Sequence, residues 1–314
     1  MKLSKSILTL FLCGTAILLC AQSLESYIPA DATTVASFKL RDIYNLPAFK
    51  SEDQKIQQYR SQLDKFNFTG DELPQQVVMI HGRKYKNPVF LAPTTIAPSK
   101  IKDKLNQIVK EYPEISYSKI SNKGFDGYKI TAPKQKSGID SIYIYYLSDK
   151  VIALITDESV SPGELKAGSA PANPLINAVK NSSSKELFRI VNSGFIPDVL
   201  EQNAQGFEQL MVSVSKTNEI GDSFLGYAEI EFDQAEKAGQ ATMTFQMLFN
   251  MMALSQLQNN TDLSSDIANA VVFQTKGKKT VINVNLTAAL IEKLKNEFKK
   301  KVKAPSDEKL TLAN

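Results

Sequence analysis

Few residues in this chain are of a type and spacing that could do chemistry. His81 is the only histidine among 314 residues and sits in the run VVMIHG. A general base or metal ligand of the imidazole kind would have to be this residue. A Ser-His-Asp triad would need it as well, and no G-x-S-x-G turn occurs in the chain. At the close of an apolar run, His81 reads more simply as a strand-end residue satisfied by a neighbour or by solvent. Carboxylates are plentiful, and Asp126, Asp140 and Asp157 are the set from which a carboxylate-based hydrolase would draw its acid and base. Sites of that kind hold sugar against aromatic rings, yet the chain has no tryptophan. Tyr143, Tyr145 and Tyr146 are the nearest substitutes. Tyr143 and Tyr145 share one face of a strand with Leu147, the pattern of a sheet core. Asp31, Asp42 and Asp233 stand where turn and cap residues belong.

Binding is better supplied with candidates than catalysis. Met243, Met247, Met251 and Met252 lie in one helical stretch, and methionine gives an adaptable apolar surface. Met243, Met247 and Met251, with Tyr143 and Tyr145, are the candidate ligand-binding residues. The competing account is that this helix is apolar over much of its circumference because it is buried on two sides, between a sheet and a neighbouring helix. Lys295, Lys299–Lys301 and Lys303 make a basic end to the last helix, which suits the negative end of its dipole and would also suit an anionic surface. No Gly-rich phosphate loop, zinc spacing, EF-hand or nucleic-acid motif is present, so no metal, cofactor or nucleic acid is expected. The partners left open are an envelope protein, a peptide or an anionic surface.

Residues 1–23 have the form of an export signal: Lys2 and Lys5, the apolar run Ile7–Leu19, then Ala21-Gln22-Ser23 as a small-x-small cleavage site. The apolar run is short of the roughly 30 Å of a bilayer core. Leu19 stands where acylation of Cys20 would want a small residue, so removal is expected rather than lipidation. Cys13 and Cys20 are the only cysteines and leave with the signal. A disulfide framework, a thiolate metal site and a cysteine nucleophile are thereby excluded from the mature chain. The expected product is soluble, periplasmic or secreted, and rests on its hydrophobic core alone. A formal charge of +4 falls by two with the signal lysines and gives no argument for nucleic acid.

The elements that must position these residues follow from periodicity. Alternation predicts strands over Thr34–Leu40, Gln76–His81, Val89–Ala92, Ile115–Ile120, Gly127–Thr131, Ser141–Leu147, Val151–Thr156 and Leu187–Val191. Further strands are expected at Leu210–Ser215, Phe224–Phe232, Val271–Thr275 and Thr280–Leu286. Spacing of three and four predicts helices over Asp42–Phe66, Pro98 to Pro113, Asp198–Asn203, Asp233–Leu257 and Ala289–Val302. In the fourth, Ala238, Ala241, Phe245, Leu248 and Met252 form the sheet-facing stripe. Asp233 with Glu236 gives it a capping-box-like start. Proline, glycine and serine gather between Asp157 and Lys185. The expected organisation is therefore a signal (1–23), an N-terminal half (24–157), a linker (158–185), a C-terminal half (186–302) and a polar tail (303–314). The fold class is α+β. Two topologically similar, ferredoxin-like (βαββαβ-type) halves are expected, with antiparallel sheets and helices on one face, as an internal duplication.

Three runs carry a family resemblance: IPADATTVASF (Ile28–Phe38), DKVIALITDESV before a Gly-Pro stretch, and the closing ANAVVFQTKGKKTVINVNLTAALIEKL. The chain resembles a group of uncharacterised exported bacterial proteins with an I-P-A-D-A-type opening. That resemblance implies an extracytoplasmic α+β protein and assigns no functional residue. Three functions stay in play: a non-enzymatic envelope protein acting by binding or as a structural partner, a carrier of a small apolar ligand or peptide, and a carboxylate-based hydrolase.

Overall fold

Strands that alternate apolar and polar residues need a cover on one face only, whereas VIALI (Val151–Ile155) needs a cover on both. Both kinds occur in one sheet. A computed structural model describes residues 24–46, 73–94, 98–132, 141–165, 173, 175–176, 185–193, 206–217, 223–256 and 260–303. The expected signal, most of the helix expected over Asp42–Phe66, the short helix at Asp198–Asn203 and residues 304–314 lie outside them.

The strands are β1 (Ala32–Phe38), β2 (Val77–Gly82), β3 (Val89–Pro93), β4 (Ser116–Asn122), β5 (Phe125–Thr131) and β6 (Ser141–Ser148). They continue with β7 (Val151–Ile155), β8 (Glu186–Ser193), β9 (Phe207–Lys216), β10 (Phe224–Phe232), β11 (Val271–Lys276) and β12 (Lys279–Leu286). The helices are α1 (Leu40–Tyr44), α2 (Pro98–Glu111), α3 (Ala235–Gln256), α4 (Thr261–Ala270) and α5 (Ala288–Lys303). All twelve strands join one sheet in the order β11-β12-β10-β9-β8-β1-β2-β3-β7-β6-β5-β4. Its neighbours are antiparallel throughout.

The α+β class and the antiparallel pairing are as expected, but the strand order is not that of a ferredoxin-like unit. That unit is built of split βαβ crossovers, in which the two parallel strands joined by a helix lie on either side of a third strand, in the order 4-1-3-2. Here β1-β2-β3 and β8-β9-β10 are plain meanders, and each is followed by a helical excursion to the outer rim. The chain then returns inward, through β4 to β7 on one side and through β11 and β12 on the other. The order of helices and strands along the sequence does not distinguish these arrangements; pairing partners do. Nor are the two sides separate sheets, because β1 pairs with β8 from Thr34↔Asn192 to Phe38↔Phe188.

Register places the described long helices on one face. Ile230, Leu210, Asn192, Thr34 and His81 stand opposite one another in turn across β10, β9, β8, β1 and β2. Directly opposed residues share a face. Ile230 packs with Ala238 and Ala241 of α3. On the same side, Met79 leads through Phe90 to Leu154, which packs with Ile101, Leu105 and Ile108 of α2. Among the described residues, the other face is covered on the β1–β7 side. There Val35, Ile80, Leu91 and Ile155 meet Leu24, Tyr27, Ile28, Leu165 and Leu175.

The segment expected as a linker thus contributes core. Leu165, Leu175 and Ile176 are buried, and Asn173 donates to the carbonyls of Pro29 (2.9 Å), Ala30 (3.0 Å) and Ala32 (2.9 Å). On the β8–β12 side this face is mostly polar: Tyr227, Glu229, Glu231, Lys279, Asn283 and Asn285 stand on it, with Leu225 exposed and Val281 buried among them. No described helix is long and apolar enough to cross a membrane.

Candidate functional site

The site lies where α3 parts from the sheet. β10 turns into α3 through a tight contact. The amide of Asp233 donates to the carbonyl of Gly206 (2.7 Å), and Gly206 has φ +84°. A Cβ on Gly206 would lie 2.1 Å from Asp233 Oδ1, so only glycine fits. Asp233 is not the helix cap expected of it: its Oδ2 binds Lys237 Nζ at 2.9 Å, and the helix begins at Ala235. Its Oδ2 is held by Lys237, while Oδ1 is buried against Gly206 with no hydrogen-bond partner.

The first two turns of α3 are locked down. Ala238, Ala241 and Thr242 are buried. Thr242 Oγ1 bonds the carbonyl of Ala238 (2.8 Å) and also meets the hydroxyls of Thr275 (2.9 Å) and Thr280 (3.1 Å). Thr280 Oγ1 also donates to Ala238 O (2.8 Å). Beyond that the expected stripe continues, but the sheet no longer covers it. Phe245 is half-buried, Leu248 is 45 % exposed and Met252 60 % exposed. Met243, Met247 and Met251 are exposed as well, so the second apolar face of α3 is in solvent rather than buried against a neighbouring helix.

Between the raised half of α3 and the sheet runs a cavity of about 540 Å³. Phe245, Leu248, Phe249 and Met252 form one wall. The floor is Val271 and Phe273 of β11 with Ile282, Val284 and Leu286 of β12. Ile267 and Ala270 of α4, with Leu290 and Leu294 of α5, close the far side. Every lining residue is apolar. Phe249 and Phe273 touch across it, with ring centroids 5.6 Å apart. α4 is clamped to α5 at the rim by Lys293–Asp266 (2.5 Å) and by Asn260 Nδ2 to Glu297 Oε2 (3.2 Å).

The candidate helix is thus at a cavity, but Met243, Met247 and Met251 are not among the residues that line it. Tyr143 and Tyr145 are far removed, buried on the opposite face of β6 with their rings stacked 6.4 Å apart. The structure does not bring them together with the methionines. α4 is the element that sequence reading missed. QNNTDLSSDIANA reads as a polar loop, yet Asn260 caps a helix by accepting from Leu263 N (3.1 Å), and Leu263, Ile267 and Ala270 recur at four and three.

Among the catalytic candidates, Asp157 has another employment. Asp157 accepts from Lys86 N (3.0 Å), Ser159 N (3.0 Å) and Ser159 Oγ (2.6 Å). The bond from Ser159 is the main cause that holds its carboxyl below the usual range. Asp126 is exposed on β5, Asp140 is outside the described residues, and His81 is half-buried on β2. A charged group on the polar face is also self-contained. Tyr227 donates to Glu229 (2.6 Å), and Lys279 binds Glu229 (2.7 Å) and Glu231 (3.5 Å). Burial works to raise the Glu229 carboxyl, but Lys279 and Tyr227 outweigh it and hold it low. Burial, then the bond to Glu229, pushes Tyr227 up to about 12. No group of metal-ligating side chains occurs among the described residues.

The fold and cavity define an open antiparallel α+β sheet with an apolar groove under a helix at one rim. No family model and no curated protein matches the chain. Solved structures do resemble it. Crystal form I of TP0453 superposes with a TM-score of 0.50 over 88 % of this chain and 98 % of that one, at 7 % identity. Crystal form IV of TP0453 gives 0.47 over 87 % and 95 %, at 9 % identity. At such identity the likeness to form I concerns the fold alone.

Proposed function

We propose that this is a non-enzymatic, exported protein of the bacterial envelope that acts by binding, and that it carries a small apolar ligand of the hydrocarbon-chain class in the groove under α3. The observation that carries the reading is the lining. A volume of about 540 Å³ is in the range of small-molecule sites. Such sites ordinarily add a few polar groups to fix orientation, and this groove has none. Hydrocarbon is the ligand class that asks for no hydrogen bond and leaves none unmade. The setting of α3 supports the same reading, since its first turns are fixed by the threonine bonds while its second half rests on side chains that can repack.

Native mass spectrometry of the protein purified from its own host should find a non-covalent apolar molecule. In vitro, an environment-sensitive fluorescent fatty acid should bind the wild type, and Ile282→Trp, which fills the floor of the groove, should weaken it about tenfold or more. Met243→Gln, outside the groove, should bind as the wild type does. A probe that fails to bind, or that binds Ile282→Trp unchanged in a protein that melts normally, would dispose of the carrier.

A further inference from the structure

The outermost strands of an open sheet carry unpaired backbone groups, and folded proteins protect them with charge, proline or a cover. The two rims of this sheet are not protected alike. β4 is SYSKISN, polar and with Lys119 at its midpoint. β11 is VVFQTK, with its one charge at the last position, and among the described residues no strand lies beyond it. Gly277-Lys278 is a two-residue loop with Gly277 at φ +58°, so Lys276 and Lys279 close the hairpin as a hydrogen-bonded pair. Pairs alternate from there. Gln274 and Val272 turn their amides inward to Val281 and Asn283, and the N–H and C=O groups of Val271, Phe273 and Thr275 point out of the sheet.

We infer that a second copy of this chain pairs antiparallel with β11, strand to identical strand, and joins two sheets into one. Centred on Phe273, the register is self-complementary, as a two-fold interface requires. Phe273 then meets the partner's Phe273, Val271 meets the partner's Thr275, and Val272 meets the partner's Gln274. Lys276 falls opposite the partner's Ala270, so no like charges are opposed. The helices do not obstruct this. α3 rests on β11, β12 and β10. With strands about 4.8 Å apart, a helix over the middle of these three stands roughly 14 Å from its two-fold copy, so the two copies of α3 do not collide. A foreign strand would satisfy the backbone too, but the self-complementary, uncharged register is a property of the chain with itself. The pairing does not depend on what the groove holds.

Val272 and Gln274 are exposed on the polar face, away from α3 and the groove, so they can be changed without touching either. Sedimentation velocity over roughly 1–100 µM should show the wild type approaching twice its protomer mass. Val272→Lys/Gln274→Lys sets lysine opposite lysine twice and should weaken the dimer on the order of 100-fold, with the melting temperature of the diluted monomer unchanged. Mixing it with Val272→Glu/Gln274→Glu should restore a dimer holding one of each. A wild type that stays monomeric throughout, a lysine variant as dimeric as the wild type, or a mixture that does not associate would each overturn the inference.

Discussion

Asn173 is where removal of a single side chain should cost most relative to its size. It is 2 % exposed, and its amide serves three carbonyls, those of Pro29, Ala30 and Ala32, while its Oδ1 accepts from Leu175 N at 2.8 Å. Asn173→Ala deletes two N–H donors and one acceptor and leaves their partners where water does not readily follow. At about 0.5–1.5 kcal/mol for each bond, and toward the upper figure when the stranded group is buried, the loss is roughly 3 kcal/mol. For a protein of this size that corresponds to a fall of roughly 6–12 °C in melting temperature, measurable by calorimetry. Asn173→Asp adds a check on the cause. It keeps the acceptor but sets a carboxylate against three carbonyl oxygens, which raises its folded pKa above the unfolded value of about 3.9. Protonated, it can still donate. Its stability should therefore be nearest to wild type below about pH 4 and decline as pH rises through the raised folded value. An Asn173→Ala protein melting within a degree of wild type, or an Asn173→Asp protein more stable than Asn173→Ala at pH 7, would refute the argument.

Two further expectations concern α3 and the polar face. Phe245→Ala removes a ring shared between the Ile230–Phe232 core and the groove and should cost about 2–4 kcal/mol, somewhat less than a fully buried phenylalanine; Met247→Gln, at 57 % exposure, should stay within about 0.5 kcal/mol, both by denaturant titration. The Glu229 carboxyl, held low in the fold, contributes stability above its unfolded pKa of about 4.3 that is lost as pH falls through its lower folded value. Glu229→Gln should accordingly flatten the acid limb of the melting profile below about pH 5, and an unchanged limb would show that the Lys279 pair carries no weight.

Much of this fold was legible because each strand faces one environment along its length. Val212 and Val214 alternate with Ser213 and Ser215, and Ile230 and Phe232 alternate with Glu229 and Glu231. Burial confirms the inward face at Ile230 and Phe232, whereas in β9 Ser213 is buried and Val212 and Val214 are half-buried. What could not be read is which strand lies beside which. Pairing depends on backbone groups that every sequence has, so a meander with a helical excursion and a split βαβ unit can share one order of elements. α4 was missed for a related reason. Four apolar residues in ten, two of them alanine, give a weak period, and the decisive signal was the single bond that Asn260 accepts from the amide of Leu263.

The stripe on α3 shows where sequence reading stops being able to distinguish a core from a site. Ala238, Ala241, Phe245, Leu248 and Met252 recur at three and four as any buried face does, and the pattern is silent on distance from the sheet. The side chains themselves hold the difference. Alanine at 238 and 241 lets the backbone approach closely enough for Thr242 to reach Thr275 and Thr280. From 245 onward every member of the stripe is large, and Phe273 on the facing strand is large too. Two large layers cannot close to the distance that two alanines allow, so the helix stands off and a groove remains beneath it. Small residues in the first turns and large ones in the later turns of a single apolar stripe are thus the sequence mark of a helix fixed at one end and raised at the other.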